Sequence, residues 1–569
     1  MSDSEHDTNA AALSESSGWW SVISPPRRSL DVLAAVLTGV ASAFALSGPG
    51  NAWLSWIAVV PALCCLYRSG FWRAFLFGAV AGVVETAAIW YWLAIITKQM
   101  LASVWLGIMF LSVLGLIYAV HFGTLYALIA CVMRGMGRSR RTILRALLVV
   151  LIACLWAAFE YGHTALMMLI SHIFPLPMGY AQWRTPAVIQ VASIAGVYGV
   201  SFLIVLCNAA LADSLFRRRF ALIPWVAGFL LLCLLGGYLR LRYVSHDAVQ
   251  GQSVAVAVLQ GNIPAFDKFD RSKSSFLAHR YLELGGLANS THPDLIVWTE
   301  SAVPWPLQED DELVTTMLRV TEPSHACHIL GATFPIKGFT NKYYNSVFLV
   351  QPDGDITSQY DKRNLIPFLE RTIHLSIMPA SGTIHPAGRE YVVGPRPPYL
   401  DSPFGRIGVM VCNENLYPPV ARESAQHGGE FLVQLANDAW FLESSPINQH
   451  FAIALFRAVE TGRDTVIANN VGISAIIDSC GRIKTRSEMR THVCLSGKVE
   501  RRKERTFYVL YGDLFAQVCA GISVVAVALS LVVYRRPVPD GDGRSAGAGA
   551  RPPDAEDAVA GRNRRRDKG

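Results

Sequence analysis

Residues 221–260 read ALIPWVAGFLLLCLLGGYLRLRYVSHDAVQGQSVAVAVLQ, and the change of pattern inside them divides the chain. Up to about residue 240 the run is apolar over the width of a bilayer. After residue 250 it gives way to the short β-branched run Val254–Leu259, bounded by turn residues, which reads as a strand. Two solvents are therefore written into one polypeptide, lipid before this boundary and water after it. The composition agrees: of 569 residues 52% are hydrophobic and only 16% charged, below the roughly 25% charged share of an ordinary soluble chain. A disordered chain and a simple soluble protein are both excluded.

Apolar runs of roughly bilayer length lie at about 30–47, 53–67, 74–97, 102–133, 143–161, 187–215 and 220–240, with one more at 511–534. The expected organisation is a polytopic bundle of about seven helices over 30–245, one extramembrane domain over 250–505 and a last span over 511–534. The polar segments 1–29 and 537–569 are expected to be disordered. No short basic region opens the first apolar run, so that span is expected to be retained. The net charge of +7 comes largely from arginines in short runs beside the spans: Arg27 and Arg28, Arg68 and Arg73, Arg134 to Arg141, Arg217 to Arg219, Arg535 and Arg536. They fall in alternate loops, so the positive-inside rule predicts cytoplasmic termini and a periplasmic domain. The basic excess is a topology signal, and no nucleic-acid partner is expected.

Glu85, His121, Glu160 and His163 sit in apolar surroundings, where such residues line a cavity or proton path or simply pack in pairs. The segment Thr164–Thr185, interrupted by Pro175 and Pro177, reads as a re-entrant or interfacial loop. Seven of the eleven cysteines fall in the spans. The other four, Cys327, Cys412, Cys480 and Cys494, lack zinc-site spacing, so neither metal nor cofactor is expected, and a disulfide among Cys327, Cys480 and Cys494 stays open.

Between 250 and 505, β runs at Val254–Leu259, Leu295–Trp298, Ile329–Phe334, Ser346–Val350, Ile407–Val411, Phe431–Leu435, Val466–Ala468 and Ile473–Ile477 alternate with helical periodicity at Ser274–Leu287, Glu312–Thr321 and Gln449–Gly462. That alternation predicts a layered α/β fold. Glu300 and Cys412 each end a β run, and Lys362 stands in the stretch Tyr360 to Glu370. Side chains just past strand ends converge on one crevice in such folds. A thiol, an ammonium and a carboxylate there form a nucleophilic set: the lysine lowers the thiol pKa and stabilises an oxyanion, and the glutamate shuttles the proton. Singly, each has a bland reading as a buried small side chain, a solvated cation or a surface acid.

The order Glu, Lys, Cys with these neighbours resembles the nitrilase superfamily of carbon-nitrogen hydrolases, and the surrounding spans resemble its membrane-embedded apolipoprotein N-acyltransferase family. The strings that carry the likeness include Leu259-Gln-Gly-Asn-Ile-Pro264, Trp298-Thr-Glu-Ser301, Tyr344-Asn-Ser346, Asn437-Asp-Ala-Trp-Phe441 and Asn470-Val-Gly-Ile-Ser474. The resemblance implies an αββα sandwich with Glu300, Lys362 and Cys412 as catalytic triad, Asn413, Glu370 and Glu414 in support, and Phe269, Leu369, Tyr344 and Asn345 toward substrate. Phe266, Phe269, Phe368 and Leu369 read as an apolar lip or as core. Members commonly have His at Asn364, Gly at Leu369, Tyr at Asn413 and Trp at Phe269. The implied activity passes an acyl chain from a phospholipid to a diacylated apolipoprotein, in the inner membrane of a bacterium, by a monomer without cofactor. A membrane-tethered amidase using the same triad is the alternative.

Overall fold

The computed structural model describes residues 27–48, 50–101, 103–136, 141–170, 176–246, 253–307, 311–367, 370–371, 389–441 and 446–535. Among the described residues seven helices are long and apolar enough to cross a bilayer: Ser29–Ser47, Phe71–Trp90, Val104–Met136, Thr142–Leu169, Ala192–Arg217, Ile223–Val244 and, after the domain, Leu514–Val532. The expected span at 53–67 is the exception. It is a 3-10 turn, Ala52–Trp56, followed by a short helix, Val60–Leu66, with Pro61 in its first turn. Fifteen such residues reach only about 22 Å even if fully helical, short of the roughly 30 Å hydrocarbon core. The break survives because buried side chains satisfy its backbone. Asn208 accepts from the N–H of Val59 at 3.0 Å and donates to the carbonyl of Ser55 at 2.9 Å, and Gln182 donates to that of Ala52 at 2.9 Å. The piece still returns the chain to its starting end, since Arg73 at the head of the next helix pairs with Asp31 in the first.

Other boundaries moved as well. The 74–97 run is two helices, Phe71–Trp90 and Trp92–Leu101, and the Thr142–Ile170 helix runs into the segment read as a loop. Pro175 lies outside the described residues, and beyond Pro177 the chain forms a buried 3-10 turn, Met178–Gln182.

Arg184 and Arg240 lie near the domain, and the arginines of the short basic runs gather at the opposite end of the bundle. Asp213 there receives Arg145 at 2.5 Å, Arg217 at 2.6 Å and the hydroxyl of Tyr67 at 2.8 Å, while Arg68 lies over the ring of Phe216. At the other end Trp92 meets Phe441 and Trp183 meets Phe451, both partners belonging to the domain.

That domain is an αββα sandwich. The path of the eight-stranded sheet runs Val493–Glu500, Ser253–Gln260, Leu295–Val297, Cys327–Pro335, Lys342–Val350, Ile356–Asp361, with Val303–Pro306 and Glu390–Tyr391 as short side strands. The six-stranded sheet runs Ile483–Arg486, Ala475–Ile477, Thr465–Asn469, Gly429–Ala436, Gly405–Val411, Tyr399–Ser402. Alternate residues fill the space between them, with Val256, Val258, Val297, Ile329, Val347 and Leu349 facing Ile407, Val409, Val411, Phe431, Val433 and Val466. Ser274–Asn289 and Glu312–Thr321 cover the eight-stranded sheet. Pro418–Gln426 and Pro446–Thr461 cover the other, and their apolar side chains share one continuous core with the membrane bundle.

The cysteines left open for pairing are all free thiols. Cys327 packs between the sheets, Cys494 packs on the helix-covered face, and Cys480 lies in a turn whose carbonyl accepts from Gln190 of the bundle, so three locations separate them.

Candidate active site

Glu300 follows the Leu295–Val297 strand, Lys362 follows Ile356–Asp361, and Cys412 follows Gly405–Val411. Strand ends from both sheets thus open on one pocket. Lys362 is buried, with its Nζ 2.9 Å from Glu370 Oε1 and 3.4 Å from Glu300 Oε1. Asn345 donates from Nδ2 to the same two oxygens, at 3.0 Å to Glu300 and 3.2 Å to Glu370. Glu370 Oε2 accepts from the N–H of Ile366 at 2.8 Å, which closes the Lys362 loop on itself. No hydrogen bond engages Glu300 Oε2 among the described residues, so that oxygen is free to take a proton.

Cys412 has φ +52°, an unusual conformation for a residue with a Cβ and one that marks a constrained site. Its neighbour Glu414 supplies much of the constraint. Oε2 accepts from the N–H of Val411 at 2.8 Å, and Oε1 accepts from the Tyr360 hydroxyl and the N–H of Arg363 at 2.8 Å and from the N–H of Asn364 at 3.1 Å. One buried carboxylate therefore ties the nucleophile turn to the lysine loop across the two sheets. Asn413 Nδ2 adds a bond to the Asn364 carbonyl at 3.2 Å.

Close packing also places Glu300. A Cβ on Gly331 in the adjacent strand would come within 2.8 Å of the Ser301 nitrogen and 2.9 Å of the Thr299 oxygen. The bare glycine lets the Glu300 turn lie on the sheet.

Lys362 pulls the thiol pKa down as expected, but other effects outweigh it. Burial pushes the Cys412 thiol well above its usual value and Glu300 pushes the same way, while Lys362 opposes them without prevailing. Desolvation of a thiolate outweighs one partnered cation. The resting group is a thiol that needs a base, not a ready thiolate. Burial likewise works against the charge of Lys362, but Glu370 and Glu300 together outweigh it and hold the lysine charged.

Of the residues expected to face substrate, Phe269 stacks on Trp440 with ring centres 6.3 Å apart, and half-exposed Phe266 meets the same ring edge-on at 5.9 Å. Asn345 commits its amide nitrogen to the two carboxylates. Tyr344 lies on the opposite face of the strand from Asn345, on the helix-covered side with Phe348 rather than toward the pocket, because successive strand residues alternate. Phe368 and Leu369 lie outside the described residues.

Lys268 is a site residue that the sequence did not announce. It is 1% exposed, its Nζ donates to the Glu300 carbonyl, and burial pushes its pKa down to about 8 despite the fields of Glu300 and Cys412. Its string, Pro264-Ala-Phe-Asp-Lys-Phe269, has no strand to point at it.

A sandwich of this kind, with a cysteine, lysine and two glutamates grouped at the strand ends and a membrane bundle fused to one helical layer, defines a membrane-embedded carbon-nitrogen hydrolase fold. The family described as carbon-nitrogen hydrolase matches residues 255–496, and the apolipoprotein N-acyltransferase N-terminal domain matches residues 38–210. An apolipoprotein N-acyltransferase of Geobacter metallireducens is 35% identical over 88% of this chain and 95% of its own length. One of Thermotoga maritima is 26% identical over 90% and 96%. Among solved structures, a carbon-nitrogen hydrolase of Helicobacter pylori is 18% identical, covering 47% of this chain and 94% of its own at a TM-score of 0.34. The chain belongs to the apolipoprotein N-acyltransferase family.

Proposed function

We propose that the protein transfers an acyl chain from a phospholipid to the α-amine of a diacylglyceryl-cysteine at a lipoprotein N-terminus, in a bacterial inner membrane with the domain on the periplasmic side. The observation that carries this reading is the turn Asp438–Phe441. It backs the Cys412 pocket at one end and rests Phe441 on Trp92 of the bundle at the other, with ring centres 5.4 Å apart. A pocket one turn from the bundle spares both lipid substrates a transfer of their chains into water, which costs about 0.8 kcal/mol per methylene. The sidedness is supported by the arginines of the short basic runs, which lie at the end of the bundle away from the domain.

In the first step Glu300 Oε2 takes the Cys412 proton as the sulfur attacks the ester carbonyl of the donor. Lys362 Nζ and the backbone N–H of Asn413 donate to the oxyanion. The ester C–O bond breaks, Glu300 returns its proton to the departing lysophospholipid oxygen, and an acyl thioester remains on Cys412. In the second step the acceptor amine attacks the thioester, Glu300 receives the amine proton, and the C–S bond breaks. The proton returns to the sulfur. A raised thiol pKa suits this scheme, because a protonated cysteine stays inert until Glu300 is aligned with a bound ester.

The test is to mix detergent-purified protein with phospholipid and a diacylated lipopeptide, with Cys412→Ala alongside. N-acylated peptide and a Cys412-linked acyl intermediate are expected. Release of free fatty acid without peptide acylation would instead establish a hydrolase, and product formed equally well by Cys412→Ala would remove the thioester mechanism.

A further inference from the structure

Behind the nucleophile, the turn Asp438–Phe441 and the helix Pro446–Thr461 bring Asp438 and His450 together, both buried. His450 Nδ1 lies 2.8 Å from Asp438 Oδ1, and Nε2 lies 3.1 Å from the carbonyl oxygen of Cys412. Both neighbours are acceptors. A neutral imidazole has one N–H and cannot donate to both, whereas an imidazolium can. Gln434 Nε2 stands 3.2 Å from His450 Nε2 and 3.4 Å from the same carbonyl. A neutral ring could accept from Gln434, but it would then turn its lone pair on the Cys412 oxygen. With both ring nitrogens protonated, Gln434 and His450 each donate to one lone pair of that oxygen.

Asp438 is itself fixed as an acceptor. Its Oδ2 receives Asn469 Nδ2 at 2.6 Å, and Asn469 Oδ1 receives the N–H groups of Asp438 at 3.1 Å and Gly472 at 2.9 Å. Among the described residues the charged groups acting on His450 are Asp438 from this turn and Glu300 from the other sheet, while Cys412 acts through its backbone carbonyl. Burial opposes the ring's charge, but Asp438 and the Cys412 carbonyl outweigh it and hold the pKa above the usual histidine value.

We infer that His450 is a positioning residue for the nucleophile, an imidazolium clamped between Asp438 and the Cys412 carbonyl that fixes the left-handed backbone of Cys412 and sets a positive charge behind the sulfur. This rests on the reading of Cys412 as nucleophile. The histidine touches neither substrate nor sulfur in this role. It opposes part of the desolvation that holds the thiol protonated, and so makes the proton easier for Glu300 to remove.

The test follows alkylation of Cys412 by iodoacetamide as a function of pH, on the full-length protein in detergent, with modification read at the Cys412 peptide by mass spectrometry. His450→Gln keeps an amide donor for the carbonyl but removes the charge. Its profile is expected about one pH unit higher, with an about tenfold slower reaction at pH 7. Asp438→Asn decides by sign. If His450 is an imidazolium held by Asp438, the amide discharges it and the profile also moves to higher pH. If His450 is neutral, loss of an isolated negative charge near the sulfur moves the profile to lower pH. That second outcome, or a His450→Gln profile superimposed on that of the wild type, overturns the inference. Acyl transfer surviving in Cys412→Ala would instead fail the nucleophile assignment, while the two alkylation profiles would still decide the charge of His450.

Discussion

The buried ion cluster around Lys362 and the one around Arg457 are built to opposite standards. In the pocket, Lys362 faces Glu300, Glu370 and Asn345, and both carboxylates accept at least two hydrogen bonds on the oxygen that meets it. At the junction with the bundle, Arg457 reaches the Tyr180 hydroxyl at 2.9 Å and Glu460 at 3.0 Å, while its Nε and Nη1 make no hydrogen bond among the described residues. Glu460 in turn accepts from the N–H of Val197, in the helix that bends at Gly196. The first cluster fixes a geometry for chemistry; the second fastens the domain to the membrane helices. A buried charge with incomplete hydrogen bonding is a poor source of stability but a costly thing to leave alone. Removing a member should therefore separate activity from stability in opposite directions.

The largest expected effect is at the pocket. Cys412→Ala should lower acyl transfer by about four orders of magnitude or more while the melting temperature in detergent stays near the wild-type value. A large fall in melting temperature would erase the contrast. Next comes the junction: Arg457→Ala leaves Glu460 buried without its cation and should cost about 3–5 kcal/mol of stability. Thermal unfolding monitored in detergent checks this, and an unchanged melting point would show that the cluster fastens nothing.

Lys268→Met should slow turnover at pH 7 by about 10–100-fold with little change in thermal stability. Because the lysine is a cation only below about pH 8, the wild-type rate should carry a fall as pH rises through that value, and the variant should lose it. Gly331→Ala presses a methyl group on the Glu300 turn and should reduce turnover by about tenfold through displacement of the base, with KM less affected. The smallest effect is expected from Asn364→His, since among the described residues the site engages Asn364 through its backbone N–H and carbonyl. Turnover and stability should stay within about 0.5 kcal/mol of wild type.

The pocket's principal residues were readable from the chain because strands advertise their ends. Leu-Ile-Val before Trp298 and Gly-Val-Met-Val before Cys412 are unmistakable β runs, and a reactive side chain just after each is delivered to the crevice at the strand ends. The strand that delivers Lys362 was not readable: Ile356–Asp361 is an edge strand with polar residues on its open side. Val493–Glu500, likewise at an edge, was missed for the same reason. Nothing in the local pattern marked Lys268 or His450 as a site residue. One stands in a single 3-10 turn, Asp267–Phe269, and the other on a helix buried at every residue but Asn448, so no exposed face sets it apart. The broken span at Ala52–Leu66 was unreadable because the groups that support it, Gln182 and Asn208, come from far along the chain.

That the helix Pro446–Thr461 is buried at every residue but Asn448 has a consequence for how such a protein can change. One side of it is packed by a sheet and the other by membrane helices. Severing the domain from its anchor would uncover an oily layer lying directly over the nucleophile, so a freely diffusing version would first have to repaint that surface with polar side chains. The anchoring helices therefore act as the missing half of a wall, and a lineage that lost them would lose the floor beneath its chemistry.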